Sequence, residues 1–167
     1  MQFAALVAAS SVIASLWPFA SHTHDQGGRA GAWRFVVHQD QFSGQTLCTL
    51  RARNAYLERG VVMFSLPPRQ NVSEAVYRID DGAIHSVREN DLEVAEAGLP
   101  VYQDGKDALD PGLARVPQRY LLGAHSVAFQ LRLGGPAYRF DLHGFDAALA
   151  AATTSGCQAG AFRNALR

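Results

Sequence analysis

Phe140-Asp141-Leu142-His143-Gly144-Phe145-Asp146-Ala147-Ala148-Leu149, running on through an alanine tract to Gly156-Cys157, is the stretch whose reading decides the fold. Tyr138, Phe140 and Leu142 alternate with Arg139 and Asp141, the two-residue period of a half-buried strand. Gly144 then allows a sharp corner, because a residue without Cβ reaches backbone angles closed to the others. Beyond the corner, Phe145 and Leu149 lie four apart on one helical face, with Ala148 and Ala152 beside them. Asp146 sits where a negative charge suits the helix dipole, and Gly156 supplies a C-terminal stop. A helix of about ten residues is marginal alone, so the pattern predicts that Phe145 and Leu149 pack onto a sheet. Cys157, just past the helix, faces one possible partner, Cys48, the only other cysteine.

Working outward, the chain has 167 residues, enough for one domain with a substantial core. Residues 1–20 stand apart: an uncharged apolar run from Phe3 to Trp17 is followed by Pro18-Phe19-Ala20 and a polar stretch. This is the pattern of a secretory signal peptide, although it lacks the usual basic n-region; a retained anchor and a buried helix are the alternatives. Residues 21–31 are polar and rich in glycine and read as a flexible leader. Residues 32–167 then form a single β-rich domain. Behind an export signal, two cysteines imply an oxidising compartment, periplasmic or extracellular, and one Cys48–Cys157 disulfide, with two free buried thiols as the alternative if the segment is not a signal. A loop of about 110 residues gives such a link about 4–5 kcal/mol at most in the chain-entropy model.

Strand signals recur through the domain. Trp33 to Val37 alternates, Thr46 to Ala52 returns after a turn, and Val61 to Leu66 is a continuous apolar run, as in a strand covered on both faces. Pro67-Pro68 ends that run. Ala75 to Ile79 and Ala83 to Val87 flank Asp80-Asp81-Gly82, a turn signal, with Gly82 expected at positive φ. Asn90 to Ala97 is a short capped helix or an acidic edge strand, and Gly98 to Gln118, with three prolines, is mostly loop. Val127 to Leu133 and the opening stretch close the series, and Ala161 to Leu166 is one more helical turn. Seven or eight short strands, one long loop and a terminal helix predict a mainly β fold, an antiparallel sandwich or partly closed barrel.

The sequence carries few motifs of recognisable chemistry. With fifteen basic and fifteen acidic residues the formal charge is +0, which lacks the electrostatic footprint of a nucleic-acid binder. There is no Gly-x-Ser-x-Gly elbow and no phosphate-cradling glycine loop with a lysine. Asp141 and His143 share a strand face, half of a hydrolytic arrangement, but with no nucleophile nearby they read as a surface pair. His22 and His24 are mobile-tail histidines, and Asp104, Asp107 and Asp110 lack calcium-loop spacing. Tyr77, Tyr120, Tyr138, Phe129 and Phe140 read as core residues. The residues singled out are therefore structural: Cys48 and Cys157 for the disulfide, and Asp80, Asp81, Gly82 and Gly144 for turns. No catalytic residue, metal site or cofactor is assigned.

Arg78-Ile79-Asp80-Asp81-Gly82 and, some sixty residues on, Leu142-His143-Gly144-Phe145-Asp146-Ala147-Ala148-Leu149 resemble the invasion-associated locus B family, over roughly Trp33 to Ala152. That family usually carries a further close cysteine pair after the aspartate-glycine turn, which this chain lacks. The resemblance implies a small exported bacterial envelope protein, mostly β, and supplies no catalytic residues. The expected function is non-enzymatic binding of a protein or cell-envelope component, with no nucleic acid and no stable membrane span after signal cleavage. A small hydrolase or ligand carrier with a pocket between the sheets is the alternative, which convergence of His143, Asp141 and His125 in a deep pocket would favour.

Overall fold

The computed structural model describes residues 25–40, 42–68, 71–101, 111–132 and 134–163. The signal stretch, His22, His24, Asp104, Asp107 and Asp110 lie outside the described residues. Ten strands are described: β1 Gln26–Ala30, β2 Trp33–Gln39, β3 Thr46–Ala52, β4 Ala55–Glu58, β5 Val61–Pro68, β6 Val76–Ile79, β7 Ile84–Ser86, β8 Pro111–Pro117, β9 Ser126–Gln130 and β10 Ala137–Asp141. Two α-helices accompany them, α1 Asp91–Glu96 and α2 Phe145–Thr154. The strands form two antiparallel sheets, one ordered β1-β2-β3-β4-β5-β8 and the other β10-β9-β6-β7. The fold is mainly β and is consistent with a sandwich; the described strands do not close into a barrel.

Strand alternation places the core. On the larger sheet Phe35 faces Leu50, Val37 faces Cys48, Leu57 faces Val62 and Phe64 faces Ala114, all of them buried. On the smaller sheet Tyr77, Phe129 and Tyr138 are aligned across β6, β9 and β10. Phe64 joins the layers, its ring 5.2 Å from Phe129 and 5.0 Å from Phe140. Offset and edge-on contacts at this separation add to the burial of each ring. The run in β5 is covered on both sides, as its composition predicts: Val62, Phe64 and Leu66 enter the main core, while Val61 and Met63 pack with Val94 of α1 and Leu99.

Helix α2 covers β1, β2 and β3. Phe145 stacks on Trp33 with ring centroids 4.8 Å apart, and Ala148 and Ala152 are buried beside it. The helix ends as its sequence dictates: Gly156 takes φ 100, its N–H donates to Thr153 O, and the Cys157 N–H donates to Ala152 O. That pair of bonds is a Schellman stop, which satisfies carbonyls the helix leaves open.

The structure departs from the sequence reading in several places. Residues 26–30 are not a leader but an edge strand. Gly28 is small because a Cβ there would lie 2.6 Å from Cε1 of Phe35. The 98–118 region holds β8, an end strand in the sheet order, where the prolines at its ends interrupt little pairing. Pro67 and Pro68 belong to β5, whose register shifts between Leu66 and Pro68. Strand β9 stops at Gln130, three residues short of the expected end. Asp91–Glu96 is helical, led by a 3-10 turn with a Ser86–Glu89 capping box. Phe162 is not helical: it is extended and bridges in parallel to Cys48.

Candidate functional site

The residues singled out by sequence gather into two structural joints. The first is the corner between β10 and α2. Gly144 has φ 86 and ψ 0, and an added Cβ would lie 2.2 Å from Ala30 O. Gly31, in the β1–β2 turn, is equally constrained, since its Cβ would lie 2.3 Å from His143 O. The Ala32 N–H donates to that same His143 oxygen at 3.2 Å. Two backbones thus meet with no side chain between them, and both contact points are glycine. Cys157 follows α2 and bonds to Cys48 on β3, with Cα atoms 6.0 Å apart. Both cysteines are buried, so the bond ties the end of the helix onto the sheet it covers.

The second joint is the β6–β7 turn. Strand pairing of Tyr77 with His85 and Arg78 with Ile84 shows the hairpin that Asp80-Asp81-Gly82 predicts. The positive φ, however, belongs to Asp80 (φ 47) and not to Gly82. Aspartate enters this region more readily than most residues, and here donors from a distant segment hold the Asp80 side chain in place. Its carboxylate accepts the N–H groups of His125 at 3.1 Å and Ser126 at 2.8 Å, and the Ser126 hydroxyl at 3.3 Å. Its own N–H donates to Ser126 O. The His125 N–H, followed by those of Ser126, holds the Asp80 carboxyl below its usual range, against an opposing effect of burial. Gly82 closes the turn by donating to Ile79 O at 2.9 Å.

Asp141 and His143 do not form a carboxylate–imidazole pair. The Asp141 carboxylate accepts the main-chain N–H of His143 at 2.8 Å, a bond that shapes the corner. Asp80, Asp81, His125, Ser126, Arg139 and Asp141 line an open depression of about 670 Å³ at the end of the smaller sheet, and His143 is not among its lining residues. His125 stands over Asp80 with Nδ1 3.5 Å from Oδ2 and its side chain 89 % exposed. A solvated imidazole at that distance, beside carboxylates engaged by main-chain donors, is poorly placed to activate a nucleophile. Among the described residues no group of three or more His, Cys, Asp or Glu side chains is arranged to hold a metal ion.

The aromatic residues follow the core reading with one correction. Tyr77 is buried and donates its hydroxyl to Asn90 Oδ1 at 3.2 Å, and burial pushes that hydroxyl's pKa up. Phe129 is buried, and Phe140 and Tyr138 pack against the core. Tyr120 instead lies on the surface in a 3-10 turn, its hydroxyl donating to Glu93 at 2.7 Å and accepting from Arg119. A row of arginines on the larger sheet is absent from the sequence reading. Alternation with buried Trp33 and Phe35 identifies Arg34 as outward-facing, but only strand register aligns it with Arg29 and Arg51. Among the described residues no helix is long and apolar enough to cross a membrane. Comparison of the chain with protein-family models, with curated proteins and with solved structures finds no match.

Proposed function

We propose that the chain is an exported, non-enzymatic protein of the bacterial envelope, periplasmic or secreted, that acts by binding a protein or cell-surface component in the manner of the invasion-associated locus B-like proteins it resembles, in contact with a host. The observation that carries this reading is the use of its polar side chains. Asp80, beside His125, and Asp141, two residues before His143, are engaged by main-chain N–H groups that fix a turn and a corner. Residues spent on shape leave recognition to surfaces and loops. The space between the sheets is occupied by Phe64, Phe129, Phe140 and Tyr77, which supports a binding scaffold over a carrier with an internal pocket. The Cys48–Cys157 bond is the kind that persists in an oxidising compartment, which supports export.

Two measurements test the reading. Thiol alkylation and mass spectrometry on the protein from fractionated native cells should find a closed disulfide outside the cytoplasm and an amino terminus near Ser21. An intact Met1 with two free thiols in the cytoplasm overturns export. The labelled exported protein should then bind intact cells or envelope fragments saturably, in competition with unlabelled protein, and absence of saturable binding overturns the recognition role.

A further inference from the structure

Three arginines stand in register on the outer face of the larger sheet: Arg29 of β1 faces Arg34 of β2, which faces Arg51 of β3. All three are exposed, while their sequence neighbours Trp33, Phe35 and Leu50 are buried. Neighbouring strands lie about 4.8 Å apart, so the row spans about 10 Å. Like charges placed directly opposite one another destabilise a sheet, and among the described residues none of the three makes an ion pair. Arg34 and Arg51 make no ion pair or hydrogen bond among the described residues, and Arg29 donates only to Gly31 O at 3.0 Å. Asp25, the acid next to the row, is engaged by His38 at 2.5 Å. Exposed Arg53, in the β3–β4 turn, adds a fourth cation. In a chain of formal charge +0, this is a local excess.

Apolar side chains are exposed on β3 and in the turn that joins it to β2. Leu47 lies on the same face of β3 as Arg51, four residues back along the strand, and is 44 % exposed. At the end of the β2–β3 hairpin Phe42 is wholly exposed. The hairpin tip is braced: the Asp40 carboxylate accepts the N–H groups of Phe42 at 3.0 Å and Ser43 at 2.7 Å and the Ser43 hydroxyl at 2.9 Å. The backbone that carries the ring is therefore held in place.

We propose that this face docks on an anionic lipid bilayer, with the arginine row against headgroup phosphates and Phe42 and Leu47 entering the acyl boundary. A sheet face offers cations in a plane, as a charged bilayer offers phosphates, and Arg binds phosphate through its fork of N–H donors. The apolar side chains decide for a bilayer over a soluble polyanion, which has no apolar layer to receive them. The proposal names the cell-surface component in the binding role given above and does not depend on export.

The test is co-sedimentation of the purified full chain with phosphatidylcholine vesicles and with vesicles carrying one quarter phosphatidylglycerol. The parent should pellet with the anionic vesicles at least tenfold better than with the neutral ones, and 0.5 M salt should release it. Arg29→Gln/Arg34→Gln/Arg51→Gln should weaken anionic binding about a hundredfold and Arg34→Gln alone about fivefold. Phe42→Ser should weaken it about tenfold. Residues 1–20 are common to all variants and cancel in the comparison. The triple variant should melt no lower than the parent, since repulsion is relieved; should it unfold, the Arg34→Gln and Phe42→Ser arms decide. Equal binding by parent and variants, or equal binding to both vesicles, overturns the proposal. So does retention on heparin without vesicle binding, which assigns the face to a soluble polyanion. Saturable binding to intact cells with no vesicle binding overturns this inference alone and leaves the envelope role standing.

Discussion

Gly144→Ala tests the β10–α2 corner most directly, because two separate costs fall on one methyl group. The first is conformational: with φ 86 and ψ 0, an L side chain is strained by about 1–3 kcal/mol. The second is spatial. The new Cβ would stand 2.2 Å from Ala30 O and 2.7 Å from Gly31 N, both main-chain atoms of a turn bonded to the corner through Ala32 and His143. These neighbours give way only if the turn and the helix start separate, and overpacking of that kind costs about 1–3 kcal/mol. The sum, about 2–6 kcal/mol, is a large share of the 5–15 kcal/mol typical of a folded domain. It should lower the melting temperature by about 2–4 °C per kcal/mol. Gly156→Ala is the control: its φ is 100, but no atom lies within 4 Å of an added Cβ, so it carries only the first cost. Urea unfolding of both variants should show Gly144→Ala losing at least about 1 kcal/mol more than Gly156→Ala. Equal losses would show that the backbones do not meet as described.

Cys48→Ala, Cys157→Ala and the double substitution should each lose a similar 2–4 kcal/mol, approximately, since each removes the same link; unequal losses in urea unfolding would give one cysteine a second role. Asp80→Asn should melt below the parent at pH 7. The gap should close as pH falls below about 4, because a depressed carboxyl stabilises only above its unfolded pKa and that stability disappears as it is protonated. A gap constant from pH 7 to pH 2 would refute the role of the Asp80 carboxylate in holding the His125 and Ser126 N–H groups. Gly28→Val should push against the Phe35 ring and release β1, read as faster amide exchange along β1 with a loss of about 1–3 kcal/mol.

The parts of the fold that were legible in sequence share a physical origin: their signals are local. Alternation in Tyr138–Leu142, the stop at Gly156 and the continuous run in β5 depend on neighbours in the chain. What stayed hidden depends on partners far away. Gly28 reads as loop composition until Phe35 lies over it, and the prolines at the ends of β8 argue against a strand until its place at a sheet end is known. Strand β4 has only four residues, two of them Ala and Glu, which have low strand propensity. The Asp80 turn was visible, but the choice of Asp80 over Gly82 for the left-handed position rests on donors from His125 and Ser126, 45 and 46 residues away. The arginine row was invisible for the same reason, since register is a property of strand pairs.

The Cys48–Cys157 bond closes over a sequence separation of 109 residues, so strands β4 to β10 lie inside the covalent loop and β1 and β2 outside it. Chain elongation at about 5–20 residues per second leaves Cys48 waiting roughly 5–20 s before Cys157 has been made. Through that interval the thiol is open to any oxidant and to exchange with any disulfide it meets. The inner faces of β2 and β3, which α2 will cover, lack their lid for as long. The protein should therefore depend on its oxidation machinery only once Cys157 has been made, and a cell deprived of that machinery should accumulate chains whose sheets are paired but whose helix is untethered.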